Sequence, residues 1–279
     1  MLQTAQSLED RNLSQSRICL LPAVCLLVLM VAGCAQTSRT TDASIERLQL
    51  SHPLAAGPAS IEIDNPWGDV YVRRSDSREV FVHAVVQRLG ANPAEPRVSL
   101  DGDAHQARIQ ARFAGAGSDC HQRRHGGGRL GRADLTVFVP VDVSLRIRSD
   151  CDGRINTHHV QGDLEARTDQ GSIEVSASGR ARLHSHSGSI RAFVELDSAE
   201  PSQIGSDGSI VLTMPPAVRA DLRARACAGL RARGFSWLSE TPRRECVEGH
   251  ALLGDEGSSL RVDSRHSFVE IRLRGSARQ

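Results

Sequence analysis

A chain of 279 residues with 34 basic and 33 acidic side chains carries a net charge of +1, so the field of the whole molecule offers no pull toward nucleic acid or another polyanion. All of the Lys and Arg count is arginine, and without lysine a Walker-type phosphate loop, a Schiff-base enzyme and a Ser-Lys hydrolase each lack an essential atom. One tyrosine and two tryptophans leave little for an aromatic sugar-stacking platform, and no cofactor is expected.

Residues 1 to 33 read as an address. Arg11 and Arg17 precede an uncharged run from Ile18 to Ala32 that falls short of the about 20 residues needed to span a bilayer, and Pro22 interrupts it. Val31-Ala32-Gly33-Cys34 resembles the bacterial lipobox, which implies cleavage before Cys34 and lipidation of its thiol. Ala35, where an inner-membrane retention signal has Asp, implies sorting to the outer membrane. The expected protein is therefore an outer-membrane lipoprotein of the cell envelope, held to the membrane through its N-terminal lipid, with no nucleic-acid partner.

Residues 34 to 58 are polar and read as a lipidated tether, although Ile45 to Leu50 has the makings of a first strand or a helical turn. From residue 59 to 279 a single β domain is expected. Ser60-Ile-Glu-Ile-Asp64 and Asp69-Val-Tyr-Val-Arg73 alternate around the turn Asn65-Pro-Trp-Gly68, forming a hairpin or a first coil. Alternation continues through Val80, Val82 and Ala84, then Ala107, Ile109, Ala111 and Phe113, then Leu135, Val137 and Val139, then Val143, Leu145 and Ile147. Residues 114 to 132 break it with a loop rich in glycine and arginine, and 225 to 256 read as an irregular insertion.

Between Asp152 and Met214 the pattern repeats. Gly153-Arg-Ile, Gly171-Ser-Ile, Gly188-Ser-Ile and Gly208-Ser-Ile each open an alternating run, with Gly162-Asp-Leu and Gly179-Arg-Ala between them. A glycine turn before apolar residues at every second position, recurring at short spacing, predicts one coil stacked on the next. The inward positions are Ile155, Leu164, Ala166, Ile173, Val175, Ala181, Leu183, Ile190, Ala192, Val194, Ile210, Leu212 and Met214. The expected fold is all-β, a right-handed β-solenoid or β-roll of short repeated strands.

These repeats, together with Asn65-Pro-Trp-Gly-Asp-Val-Tyr-Val, Gly208-Ser-Ile-Val-Leu-Thr-Met-Pro-Pro and the closing Leu260-Arg-Val-Asp-Ser and Ser267-Phe-Val-Glu-Ile, resemble the bacterial putative-adhesin family of β-strand-repeat proteins over residues 60 to 274. The resemblance implies an exported or envelope-associated β-solenoid or roll and carries no catalytic residues with it. The segments 114 to 132 and 227 to 246 depart from the family pattern.

Four cysteines remain once the signal is cut and Cys34 is acylated. In an oxidising compartment Cys227 pairs naturally with Cys246 and Cys120 with Cys151, each closing a loop of moderate length; free thiols or a metal site are the alternatives. His184 and His186 fall on one face of a strand with spacing that suits zinc or copper, but no third ligand is spaced to match. Cys120, His121 and His125 form a second weak metal cluster. Asp152, Asp163, Asp169 and Asp207 sit at predicted corners, where turn chemistry accounts for them. The expected function is non-enzymatic: a lipid-anchored envelope scaffold that adheres to an unknown protein or glycan. A polysaccharide-active enzyme, which needs two carboxylates flanking a cleft, and a metal-binding envelope protein are the alternatives.

Overall fold

Period-two alternation yields twenty-one strands and no helix among the described residues of the computed structural model, which are 44–88, 96–113, 131–243, 245–255 and 257–274. The leading strands are β1 (Ser44–Pro53), β2 (Ala59–Asp64), β3 (Val70–Arg74), β4 (Glu79–Arg88), β5 (Pro96–Gly102), β6 (Gln106–Phe113) and β7 (Arg132–Val139). The repeat region follows with β8 (Val143–Ser149), β9 (Ile155–Val160), β10 (Leu164–Thr168), β11 (Ile173–Ala177), β12 (Ala181–Ser185), β13 (Ile190–Val194), β14 (Ser202–Ser206) and β15 (Ile210–Met214). Closing the chain are β16 (Ala220–Ala226), β17 (Leu230–Arg233), β18 (Ser239–Arg243), β19 (Cys246–Leu253), β20 (Ser258–Ser264) and β21 (Val269–Leu273).

They form two large mixed sheets, neither closed into a barrel. Sheet A runs β1-β4-β7-β3-β9-β11-β13-β15-β21-β17, and sheet B runs β18-β19-β16-β20-β14-β12-β10-β8-β2-β6-β5. From β8 to β15 successive strands alternate between the sheets, and from β10 on each pairs in parallel with the strand two before it. A parallel pair needs a crossover, and here each crossover is itself a strand of the opposite sheet. The core between the sheets is a set of aliphatic ladders. In sheet B the register aligns Ile63, Ile147, Ala166, Leu183, Ile204 and Val262, all buried. At about 25 cal/mol per Å² of apolar surface, such ladders hold the fold with few aromatic rings.

Every inward position expected between Ile155 and Met214 is buried. Three sequence expectations change. Residues 59–64 and 70–74 lie in different sheets, so they make a coil and not a hairpin. Ser44–Pro53, inside the stretch read as tether, is a strand that pairs antiparallel with β4 along its whole length; Leu48 and Leu50 pack on the core and Leu54 is buried. The folded unit thus begins before residue 59. The segment read as an irregular insertion contains β17, β18 and β19, and β19 extends sheet B antiparallel to β16. Its alternation is weak because much of β17 and all of β18 face solvent. The glycine-rich 114–132 segment lies outside the described residues except at its last two positions.

Two further ladders explain the repeated motif at the turns. Gly68, Gly153, Gly171, Gly188 and Gly208 stack so closely that a Cβ on Gly153, Gly171, Gly188 or Gly208 would meet the preceding glycine's carbonyl oxygen at 2.1, 1.7, 1.9 and 2.5 Å. Beside them Ser149, Thr168, Ser185, Ser206 and Ser264 form a buried hydroxyl ladder. The hydroxyl of Ser185 donates to the Gly171 carbonyl at 2.9 Å and accepts the Gly188 N–H at 2.9 Å. Ser206 Oγ likewise donates to the Gly188 carbonyl and accepts the Gly208 N–H, and Ser264 Oγ donates to the Gly208 carbonyl. The hydroxyls of Ser185, Ser206 and Ser264 therefore satisfy polar backbone groups that the turns would otherwise bury unpaired.

Candidate binding surface

Inward positions on sheet B are fixed by the ladders, so the intervening side chains must point outward. Two rows result, in register across β8, β10, β12, β14, β20 and β16. One row is Arg146, Glu165, Arg182, Gln203, Arg261 and Arg223; the other is Arg148, Arg167, His184, Gly205, Asp263 and Arg225. At a strand spacing of 4.7–4.9 Å the rows extend roughly 24 Å. Seven of the twelve positions are arginine, and none carries an aliphatic side chain or a Phe, Tyr or Trp ring.

Their charges are only partly compensated. Arg146 Nε lies 3.3 Å from Glu165 and Arg223 Nη2 3.6 Å from Asp221; among the described residues the other five form no ion pair within 4.0 Å. Arg148 stands directly opposite Arg167, and Arg223 opposite Arg261. Like charges in such pairs are destabilising. Burial, reinforced by the Arg167 and Arg265 guanidiniums, holds His184 below the usual histidine range, so its ring is the neutral member of the row at pH 7.

Short side chains hollow this face. A depression of about 330 Å³ lies over Gln203 and Gly205, between Arg167, Arg182 and His184. On one side of it a hollow of about 630 Å³ includes Glu62, Arg108, Arg146 and Arg180, and on the other one of about 400 Å³ includes Arg223, Arg225, Arg243 and Arg261. The three succeed one another across the sheet.

Sheet A differs. Its outer face carries Tyr71, Phe81, Phe138 and Phe193, and a groove of about 600 Å³ opens where β9 bulges. There Thr157 pairs with Val175 but Val160 with Ala177, so His158 and His159 occupy the space of one residue, and His159 takes the left-handed region at φ 55°.

Of the candidate metal ligands, His184 lies on β12 and His186 in the turn beyond it. Asp207 Oδ2, from the next coil, is 3.8 Å from Nδ1 of both His186 and His266. Among the described residues no three His, Cys, Asp or Glu side chains are placed to hold a metal ion. Cys34, Cys120, His121 and His125 lie outside the described residues. Cys227 and Cys246 form the expected disulfide, and Cys151 is buried and disulfide-bonded. Asp163 does turn work: it accepts the Arg180 N–H at 3.0 Å and pairs with the Arg180 guanidinium at 2.8 Å.

Sequence reasoning missed the arginine rows because it treated the outward residues as generic solvated partners. The signal was present in Leu145-Arg-Ile-Arg148, Ala181-Arg-Leu-His184 and Leu222-Arg-Ala-Arg225, all strands of sheet B.

No protein-family model and no curated protein matches the chain. Among solved structures it is similar to a "putative cell adhesion protein" from Clostridium sporogenes, at 8% identity and TM-score 0.45, over 83% of this chain and 100% of that one. It is also similar to putative adhesins from Bacteroides fragilis (8% identity, TM-score 0.32, covering 82% and 97%) and Parabacteroides merdae (11% identity, TM-score 0.28, covering 82% and 95%).

Proposed function

We propose that this chain is a non-enzymatic, lipid-anchored envelope protein that binds a second surface through the outer face of sheet B, as an adhesin or scaffold. The observation that carries the reading is the pair of arginine-rich rows held in register over six strands, a repetitive surface suited to a repetitive partner. Alternation of strands between the sheets supports a solenoid or roll of two-strand coils, whose expected winding is right-handed. Cys34 is the proposed acylation site and the outer membrane the proposed location, both from the lipobox resemblance and Ala35.

The test is metabolic labelling with palmitate, followed by protease digestion of intact and permeabilised cells and measurement of cell adherence with and without the chain. Label lost on Cys34→Ser, digestion in intact cells and reduced adherence on deletion are the expected results. Protection until permeabilisation refutes the adhesin reading, and absence of label refutes the anchor.

A further inference from the structure

We propose that the trough across sheet B binds a linear anionic polysaccharide, one bearing carboxylates on successive sugars; this rests on the surface-binding reading above and names its ligand. A polymer lying across the strands would meet a new pair of outward side chains at each strand, every 4.7–4.9 Å, a step of about one sugar ring. Guanidinium is the cation that engages a carboxylate through two parallel N–H donors, and every cation in the rows other than a protonated histidine is arginine. Arg148 and Arg167, like-charged neighbours that form no ion pair within 4.0 Å among the described residues, together present two guanidiniums to one incoming anion; Arg261, also without an ion pair among them, stands beside Arg223, which Asp221 holds at 3.6 Å.

The remaining residues select among polyanions. Glu165 and Asp263 interrupt the rows, where they repel a continuous run of phosphates but accept hydrogen bonds from sugar hydroxyls. The one ring in either row is the His184 imidazole, and no Phe, Tyr or Trp stands there to build the stacking platform that single-stranded nucleic acid would use. No apolar side chain stands there to enter a bilayer, as an interfacial membrane-binding surface requires. The hollows over Gln203 and Gly205 and over Arg223 and Arg225 give a sugar ring room to lie flat between the flanking arginines.

The experiment uses the purified full chain in nonionic detergent, titrated against polygalacturonate, with dextran, duplex DNA and water-soluble short-chain phosphatidylglycerol as competitors. Saturable binding that weakens with added salt is expected, unaffected by dextran and displaced by neither DNA nor the phospholipid at equal charge. Arg167→Gln combined with Arg261→Gln should weaken it by roughly tenfold or more, the loss expected for charge-assisted contacts, while Arg191→Gln on sheet A leaves it unchanged. Circular dichroism confirms that each variant is folded. Failure to bind, equal displacement by dextran, DNA or phospholipid, or equal loss in the Arg191→Gln protein overturns the proposal. Cells that need the chain for adherence although it ignores polygalacturonate refute this ligand and keep the adhesin reading. Polygalacturonate binding by a chain whose deletion leaves adherence intact does the reverse.

Discussion

Replacing Gly171 with alanine tests the stacking that sets the geometry of the whole repeat region. The new Cβ would stand 1.7 Å from the Gly153 carbonyl oxygen, 2.6 Å from its carbon and 2.9 Å from Thr168 Oγ1, where ordinary contact begins near 3.4 Å. The Gly153 backbone cannot simply retreat, because it is itself pressed against the Gly68 carbonyl. Relief must come from separating two coils at the turn. That loosens the hydrogen bond from the Gly171 N–H to Thr168 Oγ1 (3.0 Å) and the one from Ser185 Oγ to the Gly171 carbonyl (2.9 Å). Overpacking costs about 1–3 kcal/mol and each hydrogen bond about 1 kcal/mol, so the substitution should destabilise by about 3–5 kcal/mol. For a chain of this size that lowers the thermal midpoint by roughly 10 °C.

Gly205→Ala is the matched control. Gly205 sits inside β14, and a Cβ there would make no contact closer than His184 Nδ1 at 3.5 Å. Since an interior glycine costs about 0.5–1 kcal/mol relative to alanine, this variant should be neutral or slightly more stable. Denaturant titration of both proteins by circular dichroism decides the matter. If Gly171→Ala unfolds within about 0.5 kcal/mol of the parent, the close stacking of turns is not what holds the register.

The other perturbations probe separate layers. Ser185→Ala leaves the Gly171 carbonyl and Gly188 N–H without their hydroxyl partner and should cost about 2–3 kcal/mol in the same titration, whereas Ser185→Thr, the residue already used at Thr168, should be tolerated. Cys227→Ser with Cys246→Ser opens a link between residues 19 apart, worth about 3 kcal/mol in the chain-entropy model; limited proteolysis should then cut first between β16 and β19, and an unchanged digest would contradict the reasoning. Glu270, buried in sheet A, is held below the usual carboxylate range by hydrogen bonds from Arg272 and by Arg233. Its lowered folded pKa makes its stabilisation complete above the ordinary carboxylate range and lost as pH falls through the folded value. Glu270→Gln should therefore be destabilising at pH 7, with the gap to the parent closing in acid; a gap constant with pH would show that charge is not its source.

The strand core was legible because period two is a strict geometric demand: Ile155, Ile173, Ile190 and Ile210 could face only one way once the turns were placed. The disulfide between Cys227 and Cys246 was the pairing favoured by an oxidising compartment and a loop of moderate length, with free thiols or a metal site as the alternatives. Strand β1 was ambiguous because its apolar residues are only partly covered, Ile45 remaining exposed, so hydrophobic contrast along it is low. The hydroxyl ladder escaped notice for the opposite reason: Ser185 and Ser206 are buried, yet by composition they read as turn residues. The candidate site was hidden because its content lies between strands far apart in sequence. Nothing in Arg223 or Arg261 alone says that they stand side by side; β16 and β20 must first be paired.

That pairing also separates a structural role for the arginines from a binding role. Residues kept for stability should lose stability when neutralised, and ion-paired Arg146 fits that description. Arg167 and Arg261 are arranged the other way: neither forms an ion pair within 4.0 Å among the described residues, and each stands opposite another arginine, Arg148 and Arg223 respectively, an opposition that costs a few tenths to about 1 kcal/mol. The glycine and hydroxyl ladders hold the register firmly enough to tolerate that cost. Arg167→Gln with Arg261→Gln should consequently raise the denaturant midpoint at low salt, with the gain fading as salt screens the repulsion, even as polygalacturonate binding falls. A lower midpoint in the double variant would mean that the arginines serve the fold, and the rows would lose their claim to be a ligand surface.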